Sequence, residues 1–352
     1  MQPLDDDNSR PWSVPGLYTV APGVFRIPLP LPENTLDAVN VYAITDGTQL
    51  VLIDSGWVLE RSREMLARAL RGIGADLADV QQFLVTHVHR DQYTQAVALR
   101  REFGGTIALG EQEEPSLRVC GDPAVPPMAA QIRLLRQSGA RHVAAELAMV
   151  VAGDRRTDLD LWEPPDEWLS PGRRSVLPGR SLEVVHTPGH TSGHVVFDDH
   201  AAGLLFTGDH VLPHITPSLD FQPVPAELPL RDYLESLCLV RSRPDRRMLP
   251  AHGSVSPSVH ARVDELLLHH RRRLDSMVEQ LAAGCSTPFE VASRLLWTAS
   301  ERRVEQMDPF HAMLAVLETA GHLDLLVARG DLVATRVDGV RHYTICTSAA
   351  AS

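Results

Sequence analysis

The stretch Thr86-His87-Val88-His89-Arg90-Asp91-Gln92, THVHRDQ, places three metal-ligating side chains within five residues and constrains the chain more than any other segment. It leaves QQFLVTHVH, an apolar, β-branched run of strand type, and enters YTQAVALRREFGG, whose apolar positions recur at helical spacing up to a Gly-Gly stop. The pattern predicts a strand, a loop carrying the polar residues, and a helix. Alternate residues of an extended segment point the same way, so His87, His89 and Asp91 share one side of that loop. Neutral imidazole and carboxylate suit zinc and neighbouring first-row metals. With 16 histidines in 352 residues, one HxH pair carries little weight alone.

Three other segments supply partners. SLEVVHTPGHTSGH puts His190 after an apolar segment, in a turn set by Pro188 and Gly189. GLLFTGDHVLP puts Asp209 after a second such segment, and RRMLPAHGS puts His252 after a third. Each candidate falls at the C-terminal end of a predicted strand, on a loop held by a rigid scaffold. Ligands in that arrangement suffice for two adjacent metals.

The order HxHxD, TPGH, GD, HG resembles the metallo-β-lactamase-fold hydrolases over roughly residues 17–256, with the layout of the glyoxalase II-like branch. The resemblance implies an α/β fold, a four-layer αββα sandwich. It implies that His87, His89 and His190 hold a first metal, that Asp91 and His252 hold a second, and that Asp209 bridges them. The expected cofactor is Zn2+, one or two ions, with Fe or Mn as alternatives. The expected reaction is attack of a metal-bound hydroxide on a carboxylic thioester, ester or lactone. Asp91 and Asp209 are the carboxylates assigned to catalysis. Asp54, in QLVLIDSGW, matches an early aspartate that supports the ligands, its plain alternative being a strand-end turn before Gly56. His210 is the candidate for ligand support or for a substitute ligand, while His186, His194 and His214 are scaffold groups, with ligand support or substrate contact as their alternatives.

Gln92 departs from the pattern, because it stands where HxHxDH has a second-metal histidine. A neutral amide oxygen is a weaker zinc ligand than imidazole nitrogen. Three readings stay open: two metals held with oxygen ligands, a single metal, or an inactivating substitution, natural or introduced. Two further functions therefore stand beside the acyl hydrolase: a phosphodiesterase or ribonuclease using the same metals, and a binding protein that keeps the pocket without turnover. GxSxG, GxGxxG and P-loop signatures are absent, which leaves a nucleophilic serine elbow and a nucleotide cofactor without support.

All 33 basic residues are arginine, and the net charge of -12 argues against generic binding to nucleic acid or anionic membrane. The expected partner is a small-molecule acyl substrate, with a homodimer as the expected assembly and no membrane. The 4 cysteines form no CxxC and no disulfide-framework spacing, so reduced thiols in a cytoplasmic protein are expected. The N-terminal MQPLDDDNSRPW is acidic without an apolar core, and no run is expected to reach the roughly 18 apolar residues that span a bilayer.

Residues 1–16 read as a polar, Pro-bearing arm, 17–256 as the hydrolase domain, and 111–175 as an insertion of helices and loop. In that insertion Trp162 and Trp168 either wall an apolar pocket or cap the core. A Pro-rich loop after Asp209 is expected near the metals. Residues 257–352 read as a helical domain, in which Ser286 or Thr287 caps a helix with Pro288 in its first turn and Asp338-Gly339 turns a hairpin. Helices followed by a hairpin resemble a winged-helix module. His269 and His270, in LLLHHRRRL, are expected on a solvated helix face.

Overall fold

The computed structural model describes residues 2–32, 36–153, 158–219, 221–297 and 301–346. Its strands are β1 (Leu4–Asp5), β2 (Tyr18–Ala21), β3 (Val24–Pro30), β4 (Ala38–Thr45), β5 (Leu50–Ile53), β6 (Val80–Val85), β7 (Thr106–Gly110), β8 (Glu167–Leu169), β9 (Gly172–Leu177), β10 (Arg180–His186), β11 (Val195–Asp199), β12 (Leu204–Gly208), β13 (Arg247–Pro250), β14 (Leu332–Val337) and β15 (Val340–Ile345). Its helices are α1 (Glu60–Arg71), α2 (Arg90–Phe103), α3 (Glu114–Cys120), α4 (Ala129–Gln137), α5 (Arg141–Ala152), α6 (Pro229–Ser242), α7 (Val259–Ala282), α8 (Pro288–Arg294) and α9 (Pro309–Arg329).

The chain forms two compact units. The first comprises Met1–Gly121, Thr157–Pro217 and Ser236–Asp264. It holds an eight-stranded sheet in the order β1 to β8 and a five-stranded sheet in the order β13-β12-β11-β10-β9. The period-2 rule explains why the larger sheet is apolar on both faces. Along β4, Val39, Val41 and Ala43 enter one core cluster with Met65, Leu66 and Leu70 of α1 and Tyr93, Ala96 and Val97 of α2. The alternate residues Tyr42 and Ile44 enter a second cluster with Val184, Phe197, Phe206 and Leu249 of the smaller sheet. β5 divides in the same way, with Leu50 and Leu52 on the helix side and Val51 and Ile53 between the sheets. The first-unit ends of α6 and α7 bury Leu237, Val240, Val259 and Val263, completing an αββα order of layers.

Two sequence expectations change here. The N-terminal segment is no loose arm: β1 pairs in parallel with β2, and Asp6 forms a 2.6 Å ion pair with Arg26, both side chains 3% exposed. Arg26 also donates to Asn40 Oδ1 at 3.0 Å, so the charges are fully engaged below the surface. The stretch 111–175 is not purely helix and loop either. β8 pairs in parallel with β7 and extends the large sheet, and β9 begins at Gly172. Trp162 stacks on Tyr93 with ring centroids 6.3 Å apart, and both Trp162 and Trp168 pack against the helix-side core.

The second unit gathers 122–156, 218–235 and 265–352, whereas the sequence places one division at 256/257. Local signals in it are strong. Thr287 Oγ1 accepts the Glu290 N–H at 3.2 Å while the Glu290 carboxylate accepts the Thr287 N–H, a capping box ahead of Pro288. β14 and β15 meet through Asp338 at φ 49° and Gly339 at φ 82°, the two positive values that a tight hairpin turn demands. α9 packs against α4, α5 and α8. By length and mean composition alone this helix is apolar enough to cross a membrane, but Glu318, His322 and Asp324 interrupt it and half of its apolar window is buried within the protein.

His270 is 1% exposed and does not lie on a solvated face. His322 Nδ1 donates to the Glu318 carbonyl at 2.7 Å, so its Nε2 accepts from His270 Nδ1 at 3.1 Å. Burial pushes His270 down to about 2 and His322 to about 3. Unfolded chains take up these protons below about 6.5 while the folded chain does not, so stability is lost as pH falls through that value. Between pH 6.5 and 5 the second unit should lose on the order of 2 kcal/mol per histidine. Urea titrations in EDTA at both pH values check this, and His270→Leu/His322→Leu should flatten the slope.

Candidate metal centre

Four strand ends of the first unit present the chemistry. β6 runs Phe83, Leu84 and Val85 into the core and then releases Thr86 to His89, after which α2 starts at Arg90 with His89 as its N-cap residue. β10 ends at His186 ahead of the turn that carries His190, β12 ends at Gly208 before Asp209, and β13 ends at Pro250 before His252.

The structure brings the sequence-predicted ligands together. His87, His89, His190 and Asp209 offer ligand atoms that all lie within 4.8 Å of one another. His87 Nε2 stands 3.0 Å from His89 Nδ1, and His190 Nε2 stands 3.1 Å from the same atom. Asp209 Oδ2 is 3.9 Å from His87 Nε2 and 3.5 Å from His190 Nε2. Its other oxygen, Oδ1, faces a different set: His252 Nε2 lies 3.5 Å from it and 3.2 Å from Asp91 Oδ2. Zinc bonds of about 2.0–2.2 Å in tetrahedral geometry require ligand atoms about 3.3–3.6 Å apart. The observed spacings bracket that edge, so the residues fit a divalent first-row ion at the histidine-rich position.

Hydrogen bonds behind the ligands fix which nitrogen is free. His252 Nδ1 is 2.8 Å from the Ala38 carbonyl, which only accepts, so Nε2 is left for the carboxylates or a cation. Asp54 does not touch a ligand directly. It takes the Thr86 N–H at 2.8 Å and the Thr86 hydroxyl at 3.0 Å, and Thr86 Oγ1 lies 3.0 Å from His87 Nδ1. If the proton sits on His87 Nδ1, it points to Thr86 and leaves Nε2 free to ligate. Asp54 holds φ 58°, left-handed backbone that is uncommon outside glycine and that aims its carboxylate under the loop. Thr86→Val is expected to lower zinc affinity about 10- to 100-fold without changing the number of sites, a loss typical of ligand-orienting groups, as a chelator-competition titration would read.

His194 and Thr187 make a second support. His194 Nε2 accepts the Asp209 N–H at 3.1 Å, so its Nδ1 donates to Thr187 Oγ1 at 2.9 Å. The sequence leaves His194 open between a scaffold group, ligand support and a substrate contact, and Thr86 and Thr187 carry no signal beyond their places beside the motifs. His210 is fully buried, with its ring centroid 6.0 Å from that of His194, and it is not in the four-residue ligand group, so the structure gives no substitute ligand there. Burial holds it down to about 3 and keeps it neutral, only partly opposed by an interaction with the Ser236 backbone.

The electrostatics suit cation binding. Burial, reinforced by neighbouring imidazoles, keeps His87 well below the ordinary histidine range, so its lone pair is available at neutral pH. Burial and the nearby Asp91 push Asp209 up to about 6. Burial works against a charge on His252, but Asp209 and Asp91 outweigh it and raise the group to about 9. A proton on His252 and a second cation therefore compete for one pair of carboxylates. Gln92, in the first turn of α2, is fully buried, and neither amide atom has a hydrogen-bond partner. Its own carbonyl accepts from Ser55 Oγ at 2.6 Å, which holds the backbone while the side chain is unsatisfied.

Residues 34–252 match the Metallo-beta-lactamase superfamily. The chain belongs to that superfamily, and metallohydrolase chemistry is the class its site defines. It is 24% identical over 318 residues to "Probable metallo-hydrolase YqjP" of Bacillus subtilis (strain 168), spanning 87% of this chain and 92% of that protein. It is 26% identical over 250 residues to "Atrochrysone carboxyl ACP thioesterase" of Aspergillus fumigatus, covering 71% of this chain but only 46%, about half, of that protein's length. Among solved structures, a beta-lactamase domain protein from Burkholderia ambifaria superposes with a TM-score of 0.78 at 27% identity, covering 97% of this chain and 96% of that one.

Proposed function

We propose that this chain is a metal-dependent hydrolase of carboxylic thioesters, with esters and lactones as chemically related substrates. The observation that carries the reading is Asp209, whose two oxygens face two separate ligand sets. When bound, zinc supplies Lewis acidity toward a carbonyl oxygen and lowers the pKa of water toward about 7. The chain's own residues hold and orient: Thr86 and Ala38 set the free nitrogens of His87 and His252, and His194 fixes the Asp209 backbone. Asp91, the more exposed of the two carboxylates, faces His252 through Oδ2 and would take a proton from the reacting water on its other oxygen. The thioesterase of Aspergillus fumigatus supports acyl thioesters as the substrate class.

The second cation position is the weaker one. Three imidazoles and a carboxylate oxygen face the first position, whereas two carboxylates and one imidazole, His252, are what the chain offers the second. Arginines of the C-terminal unit do not favour a nucleic-acid substrate, since Arg341 is paired with Asp324 and Arg273 lies 4.0 Å from the centroid of the Trp297 ring. Zinc-loaded protein assayed against acyl thioesters, lactones and single-stranded RNA tests the proposal. Thioester turnover supports it, and RNA cleavage without acyl turnover sinks it.

A further inference from the structure

Glu113 is a fully buried carboxylate with no ion pair found among the described residues, and it lies against the loop of His190. Its Oε1 receives the hydroxyl of Thr191, the residue after His190. Its other oxygen, Oε2, is buried without a hydrogen-bond partner among the described residues. The contact is as close as the backbone permits. A Cβ on Gly193 would fall 2.3 Å from the Glu113 nitrogen and 2.5 Å from its Cγ, and one on Gly110 would fall 2.0 Å from the Gly193 carbonyl oxygen. Only glycines allow β7 and the 190–193 turn to approach so closely. An ionisable group in such an interior is costly, and burial pushes Glu113 up to about 7 despite the hydrogen bond from Thr191.

We propose that Glu113 is a positioning residue that ties the loop of His190 to the turn after β7 and so presets the place of the His190 imidazole beside His87 and His89 for a first-row metal ion. The tie reaches the residue next to His190, so it fixes that ligand's backbone rather than its side chain. The loop of His87 and His89 has its own hold, through Thr86 and Asp54. Ligand positions that are not preset must be ordered when the ion binds, and the affinity falls by that cost.

This inference rests on the metal centre described above, and zinc affinity rather than turnover is the readout that separates the two. Chelator-competition titrations with zinc should show Glu113→Ala about 10- to 100-fold weaker than the parent chain, in the range seen for groups that orient ligands. Glu113→Gln, which keeps a side-chain oxygen for Thr191, should recover to within about threefold of the parent. Thr191→Val should weaken binding in the same direction, and Glu113→Ala/Thr191→Val should be no weaker than Glu113→Ala alone. If Glu113→Ala does not fold, Thr191→Val and Glu113→Gln carry the test. Equal zinc affinity in the parent and in Glu113→Ala, or in the parent and Thr191→Val, overturns the inference. No zinc binding by the parent chain overturns the metal reading instead.

Discussion

Replacing His87 by alanine is expected to remove tightly bound zinc and to lower thioester hydrolysis by at least about 10³-fold, equivalent to roughly 4 kcal/mol of transition-state stabilisation. His87 Nε2 faces both His89 Nδ1 and Asp209 Oδ2, so its loss opens the ligand set at its most buried corner. The remaining imidazoles of His89 and His190 cannot close a four-coordinate position with one carboxylate oxygen. The fold should survive, since Thr86 keeps its bonds to Asp54 whether or not the imidazole is present. Metal content after dialysis and thioester turnover, read beside the unfolding midpoint in EDTA, check the result. A variant that unfolds at the parent's midpoint and still holds one zinc per chain would refute the assignment of His87.

The second large effect concerns Gln92. Gln92→His is expected to tighten the second cation position at least about 10-fold and to raise the stoichiometry from one tightly held ion toward two. An unpaired buried amide costs about 1–3 kcal/mol, and an imidazole that ligates removes that cost while adding a nitrogen donor. The second position is also in competition with a proton on His252, whose group is raised to about 9. Loading of a second ion should therefore release a proton near neutral pH and become tighter as pH rises, until His252 is deprotonated without help. Calorimetry of zinc binding in buffers of different ionisation enthalpy reads the proton count directly. Wild-type and Gln92→His chains with identical second-ion affinity would show that position 92 faces away from the cation.

The ligand residues were legible because each sits at a strand end, where an apolar β-branched run stops and a short polar motif begins. His87, His190, Asp209 and His252 could be read from such junctions, and the helix-side and inter-sheet faces of β4 and β5 follow from alternation alone. What escaped the sequence reading depends on partners far apart in the chain. Asp6 looks like part of an acidic tail until Arg26 is seen beneath it, and His270 looks like a solvated residue until His322 is found 52 positions away. Glu113 gave no signal, since a glutamate in GEQEEPSL is ordinarily a surface residue, and only the close approach of Gly193 buries it. The division into units was blurred for a related reason: residues 122–156 and 218–235 join the C-terminal segment in space, which no local pattern reveals.

The account turns on Asp209 lying between two cation positions of unequal strength. Crystals of the full chain grown with zinc, measured at the zinc absorption edge, test this most directly. The predicted result is a strong anomalous peak among His87 Nε2, His89 Nδ1, His190 Nε2 and Asp209 Oδ2, with a weaker one among Asp91 Oδ2, Asp209 Oδ1 and His252 Nε2. No peak at the histidine-rich position, or a peak only beside Asp91, would contradict it.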